Sequence, residues 1–379
     1  MIPRVSTDAA DIIGRFADSL ETAPRRLAIE AGQGRRHIGW FCTYTPLELI
    51  HAAGFTPVRL GGMGAAVEQA DLLTPTFLCP FLRQAVARAL EGGYDFLWGL
   101  VQGYTCDAAC GAAAVWEENF PGRLFHSLPL PYNDSPASRE FCRAAMGELL
   151  DKLIAAGGVY SDEHLEESLG LYGRLRRLLD GLQNPRARLE NGLDASEVLA
   201  ITNAVYTLPP ENAVALLEEL LPLPPAPGPK KDGGVPVLVS GSVIEDGLVL
   251  DLLEDCGGTV AADDLCSGSR GLYPLDGEGE APMDRLVDRL MKRAPCPARC
   301  RAEDRAAYLA GLIEASGARG AVFILQKFCT PHLADLPALT AALKGMGLPS
   351  LLIELEETGL SEGQLRTRFE SFFEMLGGR

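Results

Sequence analysis

Two stretches of the 379-residue chain repeat one pattern, a short apolar strand followed by a helix, and this repetition constrains the fold most strongly. The strands that we predict are 37–41, 56–60, 96–102 and 124–128 in the first stretch, and 235–240, 259–262, 321–325 and 350–354 in the second. Short strands that alternate with helices predict parallel sheets. The chain is therefore predicted to be an α/β protein with two parallel four-stranded sheets.

The segments outside these stretches are predicted to be helical or to act as linkers. Residues 134–221 show helical periodicity without a convincing strand. The prolines of the next segment stiffen it and remove backbone hydrogen-bond donors. The predicted organisation is an N-terminal helical extension (1–35), a first α/β domain (36–133), a helical region (134–221), a proline-rich linker (222–234) and a second α/β domain (235–379).

Two segments have the residues of a capping box, in which the first and fourth side chains each accept the other residue's backbone N–H. Thr45 to Glu48 predicts a helix that ends at Gly54, and Ser361 to Gln364 predicts the start of the terminal helix. Further helices are predicted at 243–255 and at 334–346.

The two α/β stretches also resemble each other in detail. In both 96–115 and 320–339 a strand runs into a cysteine and then into a helix, so Cys106 and Cys329 occupy equivalent places. Ligands bind at the carboxyl ends of strands in doubly wound sheets. Two such domains that face each other would bring the cysteines of both halves to one cleft, and we interpret the two sheets as an internal repeat.

The acidic composition restricts the possible partners. Lys and Arg number 34 against 51 Asp and Glu, a net charge of −17, and such a surface repels nucleic-acid phosphates and anionic lipid. No apolar run approaches the ~20 residues that span a bilayer. The N-terminal segment lacks the apolar core of a signal peptide. We therefore predict a cytoplasmic protein that binds neither nucleic acid nor membrane.

Ten cysteines in a chain predicted to be cytoplasmic require a metal or redox explanation. No pair has C-x-x-C spacing, so a zinc ribbon, a thioredoxin motif and a bacterial ferredoxin are not indicated. Six cysteines lie at strand ends, helix starts or loops, namely Cys42, Cys79, Cys106, Cys266, Cys296 and Cys329. One buried cysteine is commonly just a small hydrophobic residue. Six in comparable places favour an iron–sulfur cluster assembled from distant segments.

The other cysteines and one histidine are weaker candidates. Cys142 and Cys256 lie inside helical patterns, and we interpret both as packing residues. Cys110 and Cys300 each follow a better candidate by about one helical turn and stay open as reserve ligands. His332 is interpreted as a solvated histidine at a helix start rather than as part of the site. No catalytic residue is assigned.

Seven separated segments carry more specific motifs. They are 39–54 (GWFCTYTPLELIHAAG), Cys79-Pro80, Cys106-Asp107-Ala108, 263–270 (DDLCSGSR), Pro295-Cys296, Lys327-Phe328-Cys329 and 363–368 (GQLRTR). In this order they resemble the 2-hydroxyacyl-CoA dehydratase/benzoyl-CoA reductase family, which includes the D-component of 2-hydroxyglutaryl-CoA dehydratase. The resemblance covers residues 36 to 376 approximately.

This resemblance implies two Rossmann-like domains with an oxygen-sensitive cluster between them. It also implies a separate ATP-hydrolysing [4Fe–4S] activator protein that delivers one electron. In heterodimeric members, the positions that match Cys79, Cys106 and Cys329 would hold one [4Fe–4S] cluster with an iron open to substrate.

The additional Cys42, Cys266 and Cys296 resemble the double-cubane branch of the family. Proteins of that branch are homodimers in which two cubanes share a bridging sulfide, as an [8Fe–9S] cluster. Each cubane needs three thiolates, and the six cysteines would supply both sets.

Three functions follow from the resemblance. We favour a reductase that passes low-potential single electrons to a small-molecule substrate. The alternative is one subunit of a heterodimeric 2-hydroxyacyl-CoA dehydratase, in which the electron converts the thioester carbonyl to a ketyl radical anion that expels the neighbouring hydroxyl. A non-catalytic electron carrier is the second alternative. The chain has no P-loop sequence, so an activator would have to bind the ATP.

Overall fold

The computed structural model describes residues 8–62, 64–120, 122–183, 193–223, 233–271, 273, 276–356 and 361–377. The predicted linker at 222–234 falls mostly on 224–232, which lie outside the described residues. Among the described residues, no helix combines the length and the apolar character needed to cross a membrane.

The first half of the chain builds a parallel sheet behind two N-terminal helices. Its elements are α1 (Ala9–Glu21), α2 (Ala23–Gly32), β1 (His37–Trp40), α3 (Leu47–Ala52), β2 (Thr56–Arg59), a 3-10 helix (Val67–Leu72), α4 (Pro80–Leu90), β3 (Leu97–Gly103), α5 (Asp107–Asn119) and β4 (Leu124–Leu128). The strands are hydrogen-bonded in the order β2-β1-β3-β4 and are all parallel. All four residues of β1 are buried, as expected for a parallel sheet covered on both faces.

Among the described residues between the two sheets lie the helices α6 (Pro136–Ala155), α7 (Asp162–Gln183), α8 (Ala195–Val205) and α9 (Pro210–Leu220). They pack against elements of both halves, since α7 contacts α3 and α8 contacts α1 in the first half. In this way the helical region connects the two sheets.

The second half repeats the architecture of the first. Its elements are β5 (Val235–Gly241), α10 (Leu248–Asp255), β6 (Gly258–Asp264), α11 (Pro282–Met291), α12 (Ala302–Ser316), β7 (Ala321–Gln326), α13 (Thr330–Gly345), β8 (Ser350–Leu355) and α14 (Glu362–Gly377). The strand order β6-β5-β7-β8 is that of the first sheet, and all pairs are parallel. The prediction of an α/β fold with two parallel four-stranded sheets is confirmed. α6 and α7 both contact α11, and α8 contacts α10, which ties the helical region to this half.

The capping box predicted at Thr45 is wrong. The Thr45 hydroxyl instead donates to the carbonyl of Val101 at 3.4 Å and accepts the N–H of Gly103 at 3.3 Å, so it binds the end of β3. Glu48 is fully buried in ion pairs and does not cap the helix. By contrast, the box at Ser361 and Gln364 is present, with both reciprocal hydrogen bonds at 3.3 Å.

Two further helix starts differ from the prediction. α10 begins five residues later than predicted, because backbone groups of the preceding loop bind side chains of Ser267 and of Gln326. The Ile244 N–H donates to the Ser267 hydroxyl at 3.0 Å, and the Val243 carbonyl accepts from the Gln326 amide at 2.9 Å. α13 begins four residues earlier than predicted, directly after Cys329.

Candidate functional site

The carboxyl ends of both sheets meet around a cavity of about 100 Å³. Its lining includes all six of the cysteines singled out in the sequence: Cys42, Cys79, Cys106, Cys266, Cys296 and Cys329. Three apolar side chains that line it are Phe41, Phe81 and Leu82. The structure therefore brings together six thiols that are up to 287 residues apart in the sequence, in a mainly apolar cavity.

Three of these cysteines stand at helix N-termini. Cys79, Cys106 and Cys329, here named the helix-terminal trio, are the N-cap residues of α4, α5 and α13. The Cys106 sulfur accepts the Ala109 backbone N–H at 3.4 Å. A helix N-terminus carries a partial positive charge of about +0.5 and stabilises a thiolate placed there. Each member of this trio is thus positioned to bear negative charge.

The other three cysteines lie in loops and have side-chain neighbours of a different kind. Cys42, Cys266 and Cys296, here named the loop trio, follow β1, β6 and α11. The Thr105 hydroxyl donates to the Cys42 sulfur at 3.2 Å, and the Arg270 guanidinium donates to the Cys266 sulfur at 3.2 Å. For Cys42 and Cys266, a hydroxyl donor and a guanidinium donor thus stand where the members of the other trio have a helix N-terminus.

Burial favours the protonated form of Cys42, Cys79, Cys106, Cys296 and Cys329 when no metal is bound. It raises the pKa of Cys79 to about 11 and that of Cys296 to about 12, the latter against the opposing charge of Arg270. It also raises the pKa of Cys42, although the hydrogen bond from Thr105 opposes this. Metal ions bind thiolates, so occupation of the cavity would release protons.

Neighbouring thiols influence one another both within and between the two trios. Burial raises the pKa of Cys106 well above its ordinary value, and Cys42, Cys79 and Cys329 raise it further. Burial likewise raises the pKa of Cys329, and Cys79, Cys266 and Cys296 add to the rise. In the loop trio, Cys266 and Cys42 both raise the pKa of Cys296. The six thiols are thus close enough to interact within each trio, and Cys106 with Cys42 and Cys329 with Cys266 and Cys296 also interact across the trios.

The donor set fits a multi-iron cluster better than a single ion. Within the described part of the chain, no three His, Cys, Asp or Glu side chains converge on one point as ligands of a single metal ion would. In a cubane each thiolate binds a different iron, so the sulfurs need not converge. Separated thiols around one apolar cavity are compatible with such a cluster.

His332 lines this cavity, so its interpretation as a solvated residue is wrong. Its side chain is buried, and the Arg270 Nη1 atom lies 3.3 Å from its Nε2 atom. Burial lowers its pKa well below the ordinary value, and the charges of Arg270 and Arg305 add to this effect. The early start of α13 places His332 in the first turn of a helix whose N-terminus faces the cavity. A neutral imidazole at this place can accept a hydrogen bond from Arg270.

The remaining cysteines lie outside the cavity lining. Cys142 is fully buried in the core beneath the first sheet, and the half-buried Cys256 packs against the core of the second half. Cys110 and Cys300 are half-buried and do not line the cavity. Their role as reserve ligands stays a prediction.

Two glutamines that the sequence analysis did not consider hold the loops of the site. The Gln102 Oε1 atom accepts the N–H groups of Phe41 and Cys42, both at 3.2 Å. Gln326, at the end of β7, donates to the Val243 carbonyl in the equivalent loop of the second half. The signal was present in the sequence, because both amides stand at the ends of apolar strands, at matching places of the repeat.

Comparison with known proteins adds the family context. The family model described as 2-hydroxyglutaryl-CoA dehydratase, D-component, matches residues 42–376. The (R)-phenyllactyl-CoA dehydratase beta subunit of Clostridium sporogenes is 25% identical over 95% of this chain and 97% of its own length. Lactoyl-CoA dehydratase subunit beta of Anaerotignum propionicum is 28% identical over 92% and 93%. A benzoyl-CoA reductase subunit of Thauera aromatica is 24% identical over 97% and 98%.

Proposed function

Because this chain belongs to the 2-hydroxyglutaryl-CoA dehydratase D-component family, we propose that it is an oxygen-sensitive iron–sulfur enzyme of the reductase type. In this proposal the six thiols that line the cavity are the ligands of a double-cubane [8Fe–9S] cluster. When bound, such a cluster supplies single electrons of low potential to a small-molecule substrate.

The observation that carries this proposal is that two trios of cysteines line one cavity. A single [4Fe–4S] cluster with one open iron needs only three thiolates, and the helix-terminal trio would be enough for it. The loop trio would then be three buried or half-buried thiols without a role, two of them hydrogen-bonded through sulfur. Two cubanes use both trios.

The chain's own residues would perform three tasks in this function. The N-termini of α4, α5 and α13 and the donors Thr105 and Arg270 compensate the charge of the thiolates. The apolar walls exclude water, which strengthens these interactions. Gln102 and Gln326 hold the loops of the two halves in place.

The electron is proposed to come from a separate ATP-hydrolysing activator with its own [4Fe–4S] cluster. The chain has no P-loop sequence with which to bind ATP itself. We propose that the protein is a cytoplasmic homodimer, as the resemblance to the double-cubane branch implies.

A second candidate function is a subunit of a 2-hydroxyacyl-CoA dehydratase, paired with a related subunit. The names of the relatives favour it, since two of those compared are beta subunits of such dehydratases and align over nearly their full length. In this case only the helix-terminal trio would hold a cluster.

Iron and acid-labile sulfide in anaerobically purified protein distinguish the two functions. We expect about eight irons per chain for a double cubane and about four for a single one. Cys42→Ser, Cys266→Ser and Cys296→Ser should each lower the count toward four, whereas Cys256→Ser, outside the cavity, should leave it unchanged. A wild-type count of four that all three loop-trio variants preserve would exclude the double cubane and favour the dehydratase subunit.

A further inference from the structure

Arg270 lies behind the cavity with a side chain that is 2% exposed. Its guanidinium has five N–H donors, and the structure supplies five acceptors. The Nε atom donates to Asp264 Oδ1 at 2.8 Å. The Nη1 atom lies 3.2 Å from the Cys266 sulfur and 3.3 Å from His332 Nε2. The Nη2 atom donates to the carbonyl of Gly241 at 2.8 Å and to the carbonyl of Asp264. Every donor is used, so the group has a single orientation.

The partners of Arg270 are themselves fixed. Asp264 is fully buried, and its second carboxylate oxygen accepts from Ser240 and from Arg305, both at 2.8 Å. Arg305 is also fully buried and donates to the Pro295 carbonyl at 2.8 Å, next to Cys296. A rigid network therefore holds one charged N–H against the Cys266 sulfur.

The helix-terminal trio has no comparable neighbour among the described residues. The sulfur of Cys106 accepts a backbone N–H, and the leading influences on Cys79 and Cys329 are burial, backbone groups and other thiols. On the loop trio, by contrast, Arg270 contacts Cys266 and acts on Cys296, and Arg293 acts on Cys42. The cavity is thus electrostatically asymmetric.

We infer that Arg270 is a positioning residue that raises the reduction potential of the cluster on its Cys266 side. An added electron would then reside mainly on the cubane that the loop trio binds. The inference rests on the proposed double cubane. A donor N–H stabilises a ligand sulfur more as the cluster gains negative charge, and hydrogen bonds to sulfur are a known control of cluster potential. The bond is charge-assisted and buried, which makes it stronger than an exposed one.

The test is an anaerobic redox titration of wild type, Arg270→Met and Arg270→Lys, followed by EPR, with iron counted in each sample. For Arg270→Met we expect the one-electron equilibrium to shift at least tenfold toward the oxidised form. This shift corresponds to a reduction potential that is lower by about 59 mV. Arg270→Lys keeps the charge but loses the planar fork, so its shift should be smaller. The control is Arg301→Met, which removes the same charge from an exposed side chain in the loop after Cys300 and should not shift the potential.

The possible results separate this inference from the proposed function. If the wild type holds eight irons, and Arg270→Met holds as many with an unchanged reduction potential, the inference about Arg270 is overturned and the double cubane stands. Wild type with four irons would overturn the double cubane and the inference with it. If Arg270→Met does not fold, the Mössbauer spectrum of one-electron-reduced wild type decides. It should resolve two unequal halves, and two equivalent halves would contradict the role of Arg270.

Discussion

At the residue scale, Glu48 departs most from what its local sequence predicts. Its carboxylate is fully buried and lies 2.6 Å from Arg176 and 2.8 Å from Arg289. Burial opposes ionisation, but the two arginines outweigh it and lower the pKa of Glu48 to about 2. The side chain joins α3 to α7 and α11, and thus the first half to the helical region and the second half.

Glu48→Gln should therefore destabilise the protein strongly, because it leaves two buried guanidinium groups without a carboxylate. Breaking a buried ion pair from one side costs about 3–5 kcal/mol, to be measured as the free energy of unfolding in denaturant. The control is Glu362→Gln. Glu362 forms an exposed ion pair with Arg366 at 2.9 Å, and loss of this pair should lower the free energy of unfolding by less than about 1 kcal/mol.

The ion pairs of Glu48 with Arg176 and Arg289 also predict that the stability of the protein depends on pH. The folded-state pKa of Glu48 lies below its ordinary 4.5, so its stabilisation is fully present above pH 4.5 and is lost as the pH falls toward 2. Over this window the wild type should lose about 3 kcal/mol more than Glu48→Gln. Parallel stability curves for the two proteins would contradict the ion-paired state of Glu48.

At the scale of elements, three helices begin at the cysteines of the helix-terminal trio. Local sequence predicts these starts only in part: Pro80 marks α4 well, whereas α13 begins four residues earlier than its periodicity indicates. The strands were predicted within two residues at each end, because a buried parallel strand is a continuous apolar run. Helix starts are harder to predict because tertiary hydrogen bonds compete with local caps.

Serine replacements at two of these N-cap positions separate iron binding by the thiol from capping of the helix. Serine is itself a favourable N-cap residue, so Cys106→Ser and Cys329→Ser should preserve α5 and α13. We expect both variants to lose cluster absorbance and iron, while the thermal unfolding of the metal-free proteins changes little. Cys256→Ser serves as the control. Full iron in both variants would show that the ligand assignment is wrong.

At the scale of the whole molecule, two sheets of identical strand order contribute to one cavity. The acidic character of the chain, with a net charge of −17, makes electrostatics part of any docking near this site. The activator proposed above would have to approach across this surface.

Reduction of the protein should consequently require the activator together with ATP, and its rate should depend on salt. The Debye length falls from ~10 Å at 0.1 M salt to ~3 Å at 1 M, so the rate of ATP-dependent reduction should change steeply over that range. The measurement is the bleaching of the visible absorbance under anaerobic conditions. Rapid reduction by a mild reductant without activator and ATP would contradict the proposed electron source.

The strands, the parallel α/β class, the repeat and the family could be predicted from the amino-acid sequence, because apolar runs, turn residues and motif spacing are local properties. Which distant side chains contact each other depends on the tertiary packing. Glu48 and Arg289 are 241 residues apart, and their buried ion pair outweighs a local cap worth about 1 kcal/mol. The contact of Arg270 with Cys266, the burial of His332 and the presence of all six thiols at one cavity likewise depend on how the two halves pack.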